Sequence, residues 1–240
     1  MRLLTLLFLA ISTFSVAQSK AKIKVINIDK GFYVYTSYGF YKGTLTPANG
    51  LLYQSTNGVV LVDTPWGIDQ TNQLLNWIYS NLHQPVLFCV HTHSHADRVA
   101  GDSALRVNNI KTYSSIATNA KAVANGYPKA VQTFVGDTTL HAGTTPIEVF
   151  YPGPGHTTDN EVVWFPLQKI LFGGCMVKST EDTTLGYTGE ADLKQWPPSL
   201  QKLIARYPDA RIIIPGHDDW TNRTSIQHTL KLLSDKISQQ

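Results

Sequence analysis

Residues 85–98 constrain the fold and the chemistry of this chain more than any other segment. Residues 85–90 form an apolar run, typical of a β-strand buried on both faces. The next eight residues, 91–98, read HTHSHADR. In extended backbone, side chains two positions apart point the same way, so alternating histidines can converge on one metal ion. The alternative is a polar surface loop that happens to be rich in histidine.

Three further strand-like segments each run into a glycine turn that is followed by a metal-ligating side chain. They are residues 147–151 before His156, residues 169–172 before Cys175 and residues 211–214 before His217. Ligands collect beyond the carboxyl ends of strands, and glycines let the backbone come close to a site. Because four separate segments repeat this arrangement, we interpret it as one metal site rather than as chance.

The four segments supply six candidate metal ligands. These are His93, His95, Asp97, His156, Cys175 and His217. A catalytic zinc ion takes three protein ligands and leaves a position open for water, so six ligands divide into two groups of three. Two zinc ions about 3.5–4 Å apart can act together on an attacking and a leaving atom. The sequence therefore predicts two Zn²⁺ ions in one catalytic centre.

The hydrophobic pattern predicts strands in both halves of the chain, with helices between them. Helices are predicted at 71–82, near 115–125, from Pro197 onward and around 226–237. The economical arrangement of such an α/β (α+β) chain is two packed sheets with helices outside, an αβ/βα sandwich. Residues 38–45 join two strands with glycines and aromatics, which predicts either a mobile hairpin tip or a plain turn with its aromatics packed inward.

Composition and the first residues indicate an exported globular protein. Of the 240 residues, 42% are hydrophobic and 15% are charged, as in an ordinary globular protein. The net charge of +3 is too small, and the basic residues are too scattered, to favour nucleic-acid binding. Residues 1–17 combine Arg2, an apolar stretch and the small residues Ser15 and Ala17, which predicts a cleaved signal peptide. The stretch is shorter than the roughly 20 residues that span a bilayer, so we expect no membrane anchor. The expected location is a bacterial periplasm, with 18–240 as the mature domain.

The ligand motifs resemble those of the metallo-β-lactamases of class B, subclass 1. The resemblance lies in residues 93–101 (HSHADRVAG), 153–160 (GPGHTTDN), 173–178 (GGCMVK) and 215–217 (PGH). Other members of the wider superfamily usually place a second histidine directly after the aspartate and a bridging aspartate in place of the cysteine. The presence of Arg98 and Cys175 at these positions points to the lactamase subclass. The resemblance implies a four-layer αβ/βα sandwich of two mixed β-sheets.

The resemblance also implies how the metal ligands are shared. The first zinc ion takes the three histidines at 93, 95 and 156, and the second takes Asp97, Cys175 and His217. Arg98 then supports the second zinc ion from below, the alternative being an ordinary surface ion pair. Cysteines in exported proteins usually pair, but a disulfide between Cys89 and Cys175 would remove a zinc ligand. We therefore interpret Cys89 as a buried thiol, and we expect His91 to pack or hydrogen-bond beside the motif.

Two more residues acquire substrate roles only through the resemblance. Lys178 matches a lysine that pairs with the carboxylate of β-lactams, whereas the residue alone would suggest a solvated surface lysine. Tyr187 stands where many members carry an asparagine that helps position the lactam carbonyl. Its phenol could donate a hydrogen bond or merely pack over the site. Phe40 and Tyr41 are expected to give apolar contact as the hairpin closes over the substrate.

The implied activity is hydrolysis of the β-lactam amide bond of antibiotics (penicillins, cephalosporins and carbapenems), which would confer resistance. A metal-activated hydroxide oriented by Asp97 is the implied nucleophile, and the expected enzyme is a monomer with a small-molecule substrate. One alternative is another hydrolase of the same fold, either a thioesterase or a lactonase. A second is a non-enzymatic periplasmic metal-binding protein, which predicts a closed site without room for water.

Overall fold

The computed structural model describes residues 21–238, so the expected signal peptide at 1–17 lies outside the described residues. The strands are β1 (Lys24–Asp29), β2 (Phe32–Tyr41), β3 (Thr44–Gln54), β4 (Val59–Val62), β5 (Val86–Val90), β6 (Lys111–Ser115), β7 (Gln132–Phe134), β8 (Thr138–Ala142), β9 (Thr145–Phe150), β10 (Val162–Phe165), β11 (Ile170–Gly174) and β12 (Ile212–Pro215). The helices are α1 (Ile68–Leu82), α2 (Ala96–Val99), α3 (Asp102–Val107), α4 (Ile116–Ala124), α5 (Trp196–Arg206) and α6 (Ser225–Ile237).

The strands form two sheets, and both are mixed. The first has seven strands in sequential order, β1 to β7, and the second has the order β12-β11-β10-β9-β8. Strands β1 to β4 pair antiparallel, whereas β4 to β7 pair parallel. In the second sheet only β11 and β12 are parallel. Parallel neighbours need crossover connections, and α1 supplies the one between β4 and β5.

Apolar side chains fill three interfaces: the one between the two sheets and the one between each sheet and its outer helices. Between the sheets, Phe32 stacks on Tyr53 and meets Phe165 edge-on, with ring centroids 4.6 Å and 5.0 Å away. Outside the first sheet, Leu74 and Ile78 of α1 are fully buried, and α5 and α6 cover the second sheet in the same way. Each such leucine or isoleucine contributes roughly 1.5–3 kcal/mol through burial. The predicted four-layer αβ/βα sandwich is confirmed.

The hydrophobic pattern of the sequence predicts the long helices but not the short ones. The helix predicted at 71–82 begins three residues earlier, at Ile68, after Gly67 with its positive φ of 102°. Helices α2 and α3 have four and six residues, too few for one apolar stripe to repeat. Among the described residues 21–238, no helix has the length and apolar character needed to cross a membrane.

Candidate metal centre

The segments that follow β5, β9, β11 and β12 bring the six predicted ligands into two groups. In the first, which we call the three-histidine site, the imidazoles are those of His93, His95 and His156. Nδ1 of His95 lies 3.2 Å from Nε2 of His93 and 3.2 Å from Nε2 of His156. All three donor atoms therefore face one point, as the alternation of the motif predicts.

The second group, which we call the cysteine site, contains Asp97, Cys175 and His217. The thiol sulfur Sγ of Cys175 lies 3.2 Å from Nε2 of His217 and 3.6 Å from Oδ2 of Asp97. Nε2 of His217 is 3.5 Å from the same carboxylate oxygen. A thiol, an imidazole and a carboxylate at these separations form a donor set that zinc accepts.

Hydrogen bonds on the far side of two rings fix which nitrogen is free for a metal. Nδ1 of His217 lies 2.6 Å from the carbonyl oxygen of Pro47, which can only accept, so Nδ1 carries the proton. Nε2 of His95 likewise donates to the Glu190 carboxylate at 3.2 Å. The lone pair of His95 Nδ1 therefore faces two ring nitrogens of the three-histidine site, an arrangement suited to a shared cation.

Burial keeps two of the ligand imidazoles neutral, which is the form that binds a metal ion. Burial, reinforced by the positive charge of Lys178, holds the pKa of His156 well below its ordinary value. Burial also lowers the pKa of His217, although the Asp97 carboxylate acts in the opposite direction. Both rings therefore present an unprotonated nitrogen near neutral pH.

Asp97 is ionised despite being buried. Burial is the largest single effect and would raise its pKa, but the Arg98 guanidinium 2.8 Å away and the neighbouring histidines together outweigh burial. Their combined charge holds the pKa well below its usual range. A carboxylate that stays charged in a buried position is a strong metal ligand and hydrogen-bond acceptor.

Arg98 lies beneath the cysteine site and is fully buried, so the alternative of a surface ion pair is wrong. Its Nη2 donates to the Cys175 sulfur at 2.9 Å and to the Gly216 carbonyl at 2.8 Å. Its Nη1 donates to the carbonyl oxygen of Asn49 at 2.5 Å. One guanidinium thus ties together three parts of the chain that meet below the site, which matches the supporting role expected of it.

Gly216 is required where β11 and β12 end side by side. A Cβ atom at this position would lie 2.6 Å from the backbone nitrogen of Cys175 and 2.7 Å from its sulfur. Any larger residue would push the cysteine away from its site. The glycine turn that the sequence pattern singled out therefore has a direct steric reason.

Asp63 fixes the start of the ligand loop from the end of β4. It is fully buried, has a positive φ of 65°, and accepts hydrogen bonds from Thr92 N at 2.7 Å and from Thr92 Oγ1 at 2.8 Å. Burial raises its pKa to about 6, although Arg98 opposes that shift. Asp63 therefore orients Thr92, the residue that precedes His93.

His91 and the two cysteines behave as the sequence predicted. His91 lies 2.9 Å from the Asp102 carboxylate through Nε2 and 3.1 Å from the Arg98 carbonyl through Nδ1, and it belongs to neither ligand group. Cys89 and Cys175 are both buried and both free, so no disulfide joins them.

A cavity of about 390 Å³ opens over both groups of ligands. Lys178, Tyr187 and the tip residue Tyr41 line it, together with Trp66 and Glu190, which the sequence analysis did not identify. The ring of Tyr187 lies 5.5 Å from that of His95 and 6.3 Å from that of Tyr41. Tyr187 therefore bridges the ligand group and the hairpin tip.

The hairpin carries Tyr41 over the site because its turn is tight. Lys42 and Gly43 both have positive φ, 48° and 81°, which is the backbone of the turn that best joins two twisted strands. At Gly39, a Cβ atom would overlap the ring of Trp66, only 2.1 Å away. The absence of a side chain there lets the indole pack directly against the hairpin. Tyr41 itself lines the cavity instead of packing inward.

Comparisons with known proteins give one consistent result. The sequence profile described as Metallo-beta-lactamase superfamily matches residues 43–217. The metallo-beta-lactamase type 2 of Elizabethkingia meningoseptica is 36% identical over 218 residues, covering 91% of this chain and 88% of the relative. Metallo-beta-lactamase IND-1 of Chryseobacterium indologenes is 37% identical, with coverages of 94% and 95%. A solved metallo-beta-lactamase from Pontibacter korlensis is 43% identical with a TM-score of 0.86, covering 89% of this chain and 99% of that structure.

Proposed function

The chain belongs to the metallo-β-lactamase superfamily, and we propose that it is a zinc-dependent enzyme that hydrolyses the amide bond of β-lactam antibiotics. The observation that carries this proposal is the cysteine site with Arg98 beneath it. Arg98 occupies the position where other superfamily hydrolases usually have a further histidine, and it contacts both Cys175 and Asp97. The similarity to enzymes named metallo-β-lactamases over about nine-tenths of the chain supports the same activity.

The three-histidine site and the cysteine site would each hold one Zn²⁺ ion. The convergent nitrogens of the first and the mixed sulfur, oxygen and nitrogen donors of the second support this assignment. Zinc bound there would supply a hydroxide nucleophile at neutral pH and would polarise the lactam carbonyl. Each ion would have three protein ligands and so keep open positions toward the cavity.

Asp97 and Lys178 would act directly on the reactants. The Asp97 carboxylate, which Arg98 helps to keep ionised, would accept a hydrogen bond from the attacking water and orient it toward the substrate. Lys178 lines the cavity and is 94% buried by its surroundings. Its ammonium group would pair with the carboxylate that nearly all β-lactams carry, in an environment where a charge pair is stronger than in water.

Tyr187 and Tyr41 would offer one continuous apolar surface to the substrate. Their rings lie 6.3 Å apart in an edge-to-face arrangement, and both line the cavity. Closure of the hairpin would reduce the access of bulk water to the reacting bond. Tyr187 packs over the imidazoles here, and its contribution to carbonyl stabilisation would be smaller than that of an amide side chain aimed at the oxygen.

The open cavity argues against a non-enzymatic metal-binding protein, which would need no room beside its metal ions. We further propose that the enzyme is exported to the periplasm after removal of residues 1–17. A monomer would suffice, because all six candidate ligands come from one chain.

The test is the absorbance decay of a carbapenem with purified mature protein and added Zn²⁺, repeated after a chelator. Fast decay that the chelator abolishes is the expected result. A glyoxalase II-type thioester and a lactone, assayed in parallel, test the alternative hydrolases of this fold. Turnover of either without any β-lactam turnover would overturn the proposed function.

A further inference from the structure

A chain of charged groups outside the six ligands ends on the His95 ring. Glu190 is the member next to His95, with Oε1 3.2 Å from Nε2 of His95 and Oε2 3.2 Å from Nζ of Lys121. Nζ of Lys121 lies 3.3 Å from Oδ1 of Asp159 as well. Glu190 comes from the loop after β11 and Lys121 from α4, so the chain joins two elements at the rim of the cavity.

The other end of this chain returns to the ligand loop. Asp159 is fully buried and its Oδ2 accepts a hydrogen bond from the backbone nitrogen of Ser94 at 3.0 Å. Ser94 stands between the first two histidines of the three-histidine site. The network therefore restrains the His95 ring through Glu190 and the backbone beside it through Asp159, with Lys121 bridging the two carboxylates.

His95 differs from the other ligand histidines in the partner of its outer nitrogen. His217 donates to a neutral backbone carbonyl, and Nδ1 of His93 lies 3.3 Å from the hydroxyl of Thr92. A carboxylate is a stronger acceptor than either, and it raises the electron density that the ring offers to a metal ion. The same bond selects the tautomer that leaves Nδ1 free.

We propose that Glu190 is a positioning residue for the three-histidine site, which orients His95 for its metal ion, and that Lys121 holds Glu190 in place. This inference rests on the proposed function, because it requires that the site binds zinc. It adds a residue that does not touch the metal ion or the reacting bond. Since Glu190 is three positions after Tyr187, the same contact also anchors the loop that carries the aromatic rim.

The exposure of the pair supports a role in positioning instead of in the folding core. The Glu190 side chain is 35% exposed and that of Lys121 is 34% exposed. Exposed pairs contribute little to stability, so their removal should leave the fold intact. What changes is the freedom of the His95 ring, which is 17% exposed at the rim.

The test uses Co²⁺ titration of metal-free mature protein, followed by optical spectra and by proton NMR. With His95 bound through Nδ1, its Nε2 proton gives a shifted, exchangeable resonance. In Glu190→Ala we expect the affinity of the three-histidine site to fall about 10- to 100-fold. We also expect this resonance to disappear through faster exchange with water. Glu190→Gln, whose amide oxygen still accepts the bond, should retain the resonance and lose less affinity.

Two further variants make the result specific. Glu181→Gln removes an exposed carboxylate from the same loop and should change neither the affinity nor the resonance. Lys121→Met releases Glu190 and should weaken the site in the same direction but by less than Glu190→Ala. Wild-type affinity with an unchanged resonance in Glu190→Ala and Lys121→Met would overturn the inference. If wild-type protein binds two metal ions but hydrolyses no β-lactam, the proposed function fails and this test still stands.

Discussion

Replacing Arg98 with methionine should destabilise the protein strongly and should do so before any metal ion is bound. Methionine has a similar length and no charge. The change leaves the Asp97 carboxylate buried without its nearest partner, which lies 2.8 Å from Nη2. It also removes the donors to the carbonyl oxygens of Asn49 and Gly216 and to the sulfur of Cys175.

The size of the effect follows from burial. Breaking a buried ion pair by removing one partner costs about 3–5 kcal/mol, since the remaining charge loses its compensation. Loss of the donor to the Asn49 carbonyl adds at most roughly 1–3 kcal/mol. The Gly216 carbonyl keeps its hydrogen bond from the Asn49 backbone nitrogen at 2.8 Å. Relaxation and protonation of Asp97 recover part of the sum. We expect a net loss of about 4 kcal/mol. In a domain of this size each kcal/mol shifts Tm by roughly 2–4 °C, so Tm should fall by about 8–16 °C.

Thermal denaturation of metal-free protein is the assay, because it separates the loss of the buried pair from the loss of zinc. Arg106→Met is the matched control: Arg106 is exposed on α3, and its replacement should change stability by no more than about 0.5 kcal/mol. If Tm of Arg98→Met stays within about 2 °C of the wild type, the reasoning about the buried guanidinium is refuted.

Three further predictions concern the site and its surroundings. Cys175→Ser should weaken the cysteine site, so zinc per protein should fall from two toward one with a strong loss of turnover; unchanged zinc content and turnover would contradict its role as ligand. Lys178→Ala should raise KM for β-lactams about 10-fold or more with a smaller change in kcat, because one charge pair to the substrate is lost; an unchanged KM would argue against that pairing. Burial raises the pKa of Glu161 from a usual 4.5 to about 8. The folded state therefore keeps a proton that the unfolded state releases, so stability should fall as pH rises from about 4.5 to about 8. The free energy of unfolding, measured by urea denaturation at pH 5 and pH 8, should fall less for Glu161→Gln than for the wild type. Equal falls in the two proteins would refute this role of the Glu161 proton.

The parts of the fold and site that the sequence predicts are those with a local signal. The apolar run before the histidines is β5, and each glycine turn places its candidate ligand where expected. Such signals depend on neighbours in the chain, which a sequence displays directly. The layer arrangement follows as well, because amphipathic helices and apolar strands have few ways to cover each other's faces.

The parts that escaped prediction depend on contacts between distant residues. Glu190 lies 69 positions after Lys121, and nothing in the local sequence of either residue indicates that they meet. Trp66 is placed against the hairpin by Gly39, a relation visible only once β2 has its position. The sequence motif singled out Arg98, but its complete burial beneath the cysteine site depends on three segments that meet in the folded chain.

The central claim is that two zinc ions lie in the two groups of ligands. The most direct test is a crystal structure of the zinc-loaded protein with anomalous scattering measured at the zinc edge. We predict two anomalous peaks, one bound by three imidazoles and one bound by Asp97, Cys175 and His217, with ligand distances of about 2.0–2.3 Å. A single peak, or peaks outside these side chains, would contradict the account.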